Sequence, residues 1–134
     1  MIDLENIVFT EVATALRDRY GETFFVAGEY VESPASFPAV TIVEADNRVL
    51  QSMRTLKIEN AVSVMYETNI YSNKTSGKKA EAKEIADVID KKFEEIGFTR
   101  TMRNQVANLN NASIFRMVCR YEAVIDKDHW IYQN

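Results

Sequence analysis

The segment Ser72–Lys79, SNKTSGKK, contains residue types that can bind a phosphate. In a phosphate-binding loop, two glycines let the backbone approach the phosphates, a lysine neutralises them, and a Ser or Thr hydroxyl holds magnesium. Gly77 and Lys78 would supply the second glycine and the lysine. However, Ser72 stands at the position of the first glycine and Lys79 at that of the hydroxyl. Because two of the four fixed positions fail, the sequence argues against nucleotide hydrolysis.

The same segment also suits a plain junction between a strand and a helix. Ser, Asn and Thr are favourable turn and N-cap residues. Its three lysines, Lys74, Lys78 and Lys79, are unfavourable at a helix start, since the helix dipole favours acids there. They are interpreted either as a solvated charge run or as a contact for an acidic partner.

The chain has one cysteine and one histidine, which limits its metal and nucleophilic chemistry. Cys119 lies between Met117 and Tyr121 on the apolar side of a predicted strand, as a small core residue would. His129 has no partner at the spacing of a zinc site. We therefore expect no metal site, no cofactor and no catalytic residue.

Basic and aromatic residues elsewhere are candidates for contacts with other proteins. Arg116 and Arg120 share one side of a predicted strand, and we expect Arg100 and Arg103 beside them on the preceding strand. Such a face is either a wet surface with cross-strand ion pairs or a polar face at an interface or channel. Trp130 is either a core residue or an anchor for a partner.

The periodicity of apolar residues predicts the element order α-β-β-β-α-β-β-β. Helices are expected from about Leu4 to Leu16, ending near Gly21, and from about 77 to 96, with Gly97 as the C-cap. Strands are predicted at residues 23–31, 39–45, 60–72, 98–106, 112–126 and 129–133. Residues 46–59 show no clean period and are predicted as an irregular loop or a short helix. This order indicates an α+β fold, a mostly antiparallel sheet with two main helices packed on one face.

Length and composition indicate one globular domain, residues 1–134. The formal net charge of −4 argues against broad binding to nucleic acid. The first residues carry Asp3 and Glu5 rather than the positive charge of a secretory signal, and no apolar run approaches the ~20 residues of a membrane span. We expect a soluble protein folded in a cytoplasm.

Several short pieces follow one another in order between about Ser36 and Ile125. They lie within the stretches SFPAVTIVEADN, YETNIYSNKTSGKKAEAKEIADVIDKKFEEIGFTR and IFRMVCRYEAVID. The pieces are Phe37-Pro38, Glu44, Asn47, Tyr71-Ser72-Asn73, Gly77-Lys78-Lys79, Gly97-Phe98, and Arg116, Arg120 and Tyr121 of an Arg-x-x-x-Arg-Tyr strand. In this order and spacing they resemble the small tail-terminator (tail-completion) proteins of tailed bacteriophages and prophages.

The resemblance implies a structural role and an α+β fold. In that family, subunits close into a ring, typically six-fold, that caps the tail tube, ends tail polymerisation and joins the tail to the neck. The implied partners are further copies of the chain, the tube protein, a neck or head-completion protein, and the sheath if the tail is contractile. DNA would be only a passing cargo, and no membrane is involved. The implied location is the virion, after assembly in the host bacterial cytoplasm.

We expect contacts between subunits or with the tube from residues spread over loops and strands. The expected contact residues are Arg48, Met53, Arg54, Lys57, Lys74, Lys78, Arg116, Arg120 and Trp130. The C-terminal strand is a candidate for pairing with a neighbouring subunit. Two alternatives stay open: a head-completion or connector adaptor protein of the neck, and a small-ligand or nucleotide-binding domain.

Overall fold

The computed structural model describes residues 2–31, 34–50, 61–107, 113–126, 128 and 131–132. Its elements, in chain order, are α1 (Glu5–Tyr20), β1 (Phe25–Ala27), β2 (Ala39–Val49), β3 (Ala61–Ser72), α2 (Lys78–Glu95), β4 (Thr99–Val106), β5 (Phe115–Asp126) and β6 (Ile131–Tyr132). The predicted element order and the α+β fold class are both confirmed.

The strands form one mostly antiparallel sheet in the order β1-β2-β3-β5-β4, and β6 pairs with β5. Only the short contact between β1 and β2 is parallel. In the long central strands, Ala39 of β2 lies opposite Tyr71 of β3, and Tyr66 of β3 lies opposite Tyr121 of β5. Because opposite residues share a face, this register sorts the side chains into a helix face and an outer face.

Both helices pack on the helix face of the sheet. They run antiparallel, since Lys92 near the end of α2 pairs with Glu11 of α1 while Arg19 near the end of α1 pairs with Glu84 of α2. The helices bury an apolar stripe against the alternate residues of β2, β3 and β5. The largest fully buried side chains are Tyr66, Tyr71, Tyr121, Phe93, Leu16, Ile42, Ile70, Ile85, Ile89, Ile125, Val8 and Val12.

Helix α2 ends at a glycine-based cap, as predicted at Gly97. Gly97 has φ 99°, the left-handed conformation that glycine tolerates best. Its N–H donates to the Glu94 carbonyl at 3.1 Å, and the Phe98 N–H donates to the Phe93 carbonyl at 2.8 Å. These two hydrogen bonds define a Schellman motif, and the rings of Phe93 and Phe98 make its usual apolar contact at 5.3 Å. The cap therefore ends α2 and leads the chain directly into β4.

Strand β2 is longer than the sequence predicts, because it extends past residue 45 to Val49. A register shift between Glu44 and Asp46 leaves Ala45 as an extra residue, which breaks the alternation that signals a strand. The pairing with β3 resumes after this bulge and continues to a hydrogen bond from the Leu50 N–H to the Ala61 carbonyl. Residues 51–60, the rest of the predicted loop, lie outside the described part. Strand β1, by contrast, is shorter than predicted.

A second register shift, in β4, changes the placement of two arginines. It falls between Arg100 and Met102, and it brings Arg100 and Arg103, which regular alternation would place on opposite faces, together onto the helix face. Arg100 pairs with Asp90 of α2 at 3.1 Å and Arg103 with Asp87 of α2 at 3.2 Å. Strand β4 lies beside β5 as predicted, but Arg100 and Arg103 face the helices, whereas Arg116 and Arg120 of β5 lie on the outer face. The bulge has no signature that single-sequence alternation can detect.

Neither helix in the described part of the chain combines the length and the apolar character that crossing a membrane requires.

Candidate functional site

The junction between β3 and α2 carries what we call the lysine patch, defined as Lys74, Lys78 and Lys79. Gly77, with φ 83°, turns the chain into α2, and the helix start has no side-chain cap. Lys74 pairs with Glu81 at 3.5 Å. Within the described residues, no carboxylate pairs with the ammonium groups of the other two lysines. The patch therefore presents cations at a helix end where the dipole already disfavours them.

The same junction is built around a carboxylate, which bears on the phosphate-loop comparison. Ser72 is fully buried and donates from Oγ to Glu81 Oε1 at 2.7 Å. Ser72, at the position of the first loop glycine, is thus a buried residue that holds the turn through its hydrogen bond to Glu81. A phosphate placed against this turn would meet the negative charge of Glu81, so the geometry is that of a strand-to-helix hinge.

Lys78 and Arg116, two predicted contact residues, line one cleft of about 210 Å³. The cleft lies between the end of β4, the start of β5 and the start of α2. The guanidinium of Arg116 is already engaged, since its Nε donates to Asn69 Oδ1 at 2.8 Å and it lies 5.9 Å from the ring of Tyr30. Among the described residues of this cleft, Lys78 is therefore the cation that no other side chain engages.

The outer face of the sheet carries both β5 arginines, as predicted. Arg116 lies opposite Tyr71 of β3, and Arg120 lies opposite Glu67, with which it forms a cross-strand ion pair at 3.7 Å. Arg48 lies on the same face, on β2 rather than in a loop, and is exposed. The pair between Arg120 and Glu67 fits a wet sheet face, whose ion pairs contribute little to stability.

A second cavity is a groove of about 490 Å³, which we call the acidic groove. It runs between the start of α1 and the segment that follows β1. Its lining combines apolar side chains with those of two acids, Glu5 and Glu29. Its lining residues are Glu5, Asn6, Phe9, Ala27, Gly28, Glu29, Val31 and Ile42.

Further negative charge surrounds one end of the acidic groove. Carboxylate oxygens of Asp3, Glu5 and Glu44 lie within 4.8 Å of one another. Asn47 Nδ2 donates to Glu44 Oε1 at 3.1 Å and to the Ile2 carbonyl at 2.9 Å, which holds the N-terminal segment against β2. Burial, and then the charges of Asp3 and Glu5, raise the pKa of Glu44. The cluster joins residues about 40 positions apart, so no local spacing predicts it.

Cys119 is fully buried on the helix face, so its prediction as a core residue is confirmed. Burial raises the pKa of its thiol, although Arg103 of β4 lies opposite and acts in the other direction. A buried neutral thiol is a poor nucleophile, because the thiolate is the reactive form.

The remaining predicted positions fall outside the described residues. They are Met53, Arg54, Lys57, His129 and Trp130. The expected contacts of Met53, Arg54, Lys57 and Trp130 stay predictions. The predicted C-terminal strand is present as β6, which pairs with β5 of the same chain.

No protein-family model matches this sequence, and no curated protein matches it.

Proposed function

We propose that the chain is a structural subunit of a phage or prophage tail, a tail terminator that closes into a ring on the end of the tail tube. The ring would stop the growth of the tube and join it to the neck. Its partners would be further copies of the chain, the tube protein, a neck protein and, for a contractile tail, the sheath. The observation that carries the proposal is that positions of the family resemblance lie at the junctions that build this α+β fold.

Each of those junctions is held by a specific contact. Asn47 donates to Glu44 next to the bulge in β2, and Ser72 donates to Glu81 where β3 passes into α2. Tyr121 stacks on Phe93 with ring centroids 4.1 Å apart, which ties β5 to α2. The Schellman cap at Gly97 and the hydrogen bond from Arg116 to Asn69 complete the set. The resembling residues thus coincide with the framework of the fold, which favours a resemblance at the level of structure.

A ring also needs two different surfaces on each subunit. A closed ring forms when one patch of a subunit binds a different patch of its neighbour and the rotation closes. The lysine patch and the acidic groove are two such patches of opposite charge. A binding module with a single ligand would need only one of them.

The experiment that tests the proposal is deletion of the gene from its phage or prophage, followed by electron microscopy of the particles. A terminator predicts tails longer than those of the wild type, because nothing stops the tube. Expression of the gene from a plasmid should restore normal length. Filled heads without tails would instead indicate an adaptor of the head or neck, and particles of normal form would refute a role in assembly.

A further inference from the structure

We infer that the acidic groove of one copy receives the lysine patch of a second copy, so that subunits join head to tail. The inference rests on the proposed ring and goes beyond it, because it names the two surfaces that would hold the ring together. Four steps support it: the distance between the surfaces, their unneutralised charge, their chemistry and the symmetry that follows.

The lysine patch and Glu5 of the acidic groove lie at opposite ends of the helical layer. The lysine patch is at the start of α2, and the antiparallel pairing of the helices puts that start beside the end of α1. The acidic groove is at the start of α1. Helix α1 has 16 residues, which corresponds to about 24 Å. A lysine side chain cannot cross that distance, so the patch of one copy cannot reach Glu5 of the same copy.

Both surfaces carry charge that the subunit leaves unneutralised. In the described part of the chain, no basic side chain pairs with Glu5 or Glu29, and no acidic one pairs with Lys78 or Lys79. The acids Asp3 and Glu44 beside the groove add to its negative charge. Opposite charges left on two distant surfaces favour an encounter between copies.

The chemistry of a lysine matches the construction of the groove. A lysine has an apolar stem of four methylene groups and a cationic head. The groove offers Phe9, Val31 and Ile42 to the stem, and the carboxylates of Glu5 and Glu29 to the head.

The pairing has a defined symmetry. Each copy would use its patch on one neighbour and its groove on the other, which is a heterologous interface. Such an interface produces a ring if the rotation closes and a filament if it does not. A two-fold dimer would use both surfaces of each copy on a single partner, so the native mass separates it from a ring.

The test uses charge reversal on each surface. The patch variant carries Lys78→Glu and Lys79→Glu, which places acids at a helix start where the dipole favours them, so the fold should be retained. The groove variant carries Glu5→Lys and Glu29→Lys. Circular dichroism checks that each variant is folded, and native mass with electron microscopy reports assembly. The controls are reversals of exposed residues on other surfaces, Lys83→Glu with Lys91→Glu, and Asp18→Lys with Glu22→Lys.

The pairing predicts that each variant alone stays monomeric up to a concentration at least about tenfold above that at which the wild type and both controls assemble. It also predicts that an equimolar mixture of the two variants assembles. In the mixture, the acidic patch of one variant meets the basic groove of the other, and the unchanged surfaces meet in turn. A ring satisfies both contacts when it has an even number of alternating subunits.

Three results would overturn the pairing, and they separate its failure from that of the ring. If either variant assembles as the wild type does, the two surfaces are not the interface, while the ring itself stands. If both variants stay monomeric and their mixture does too, the surfaces matter but do not bind each other. If the wild type stays monomeric at every concentration, with and without tube protein, the ring and the pairing fall together.

Discussion

The centre of the core lies at Phe93, and its truncation is the sharpest test of the fold that carries both surfaces. The side chain is completely buried. Its ring stacks on Tyr121 at 4.1 Å between centroids and lies edge-on to Phe98 at 5.3 Å, with Tyr66 at 6.4 Å. It therefore joins α2 to β3, β5 and the segment that enters β4. Removing it should weaken every one of these contacts at once.

The magnitude follows from the burial. A Phe→Ala change in a packed core costs about 3–5 kcal/mol in the free energy of unfolding. Phe93→Ala belongs in the upper half of that range, because each aromatic pair adds roughly 0.5–1.5 kcal/mol beyond buried area. For 134 residues the entropy of unfolding is roughly 0.28 kcal/mol/K, so the midpoint should fall by about 14–18 °C.

Thermal and urea unfolding followed by circular dichroism would measure the change. Lys91→Ala is the matched control, since Lys91 is exposed on the same helix and should change the stability by less than about 0.5 kcal/mol. A loss of less than about 1.5 kcal/mol for Phe93→Ala, with an unchanged slope in urea, would contradict the packing described for this ring.

Three further predictions concern single side chains. Glu44→Gln keeps the acceptor oxygen and removes a carboxylate whose pKa is raised by burial. The variant should be more stable than the wild type at pH 7, because the wild-type carboxylate is charged there at a cost to the folded state. The difference in stability should shrink as the pH falls through the raised pKa toward the usual value of 4.5. Thermal melts at several pH values would measure it. Ser72→Ala should cost about 1.5–3 kcal/mol by urea unfolding, because it removes a part-buried hydrogen bond to a charged group. A loss below about 0.5 kcal/mol would contradict the role of that bond. Cys119 should resist a thiol reagent in the native protein at pH 8 and react fully in denaturant, whereas rapid native labelling would contradict its burial.

Much of the fold could be predicted from the sequence because its periodicities are long. The apolar stripe of α2, from Ala82 to Phe93, repeats at helical spacing, and the alternation in β5 fixes which side of that strand faces the core. Gly97 could be predicted as a cap because a left-handed residue after a helix is usually glycine. These features are local, so a single sequence reveals them.

The features that single-sequence reasoning missed depend on residues distant in the chain. The bulges at Ala45 and Thr101 each insert one residue, which reverses the faces on one side of the shift. In β4 that effect places Arg100 and Arg103, which regular alternation would put on opposite faces, together on the helix face. The acidic groove joins α1 to the segment after β1, and its neighbouring acid Glu44 belongs to β2. The lysine patch, in contrast, is contiguous enough for the sequence to predict a basic contact there.

The central claim is that copies of this chain close into a ring, and the most direct test is the native mass of the purified protein over a wide range of concentration, with and without tube protein. For chains of 15.4 kDa, the account predicts a closed multimer of defined size, about 92 kDa if the ring is six-fold, seen as rings in the electron microscope. The mass should stay constant above the concentration of assembly. A monomer under all these conditions, or a mass that keeps rising without a limit, would contradict the account.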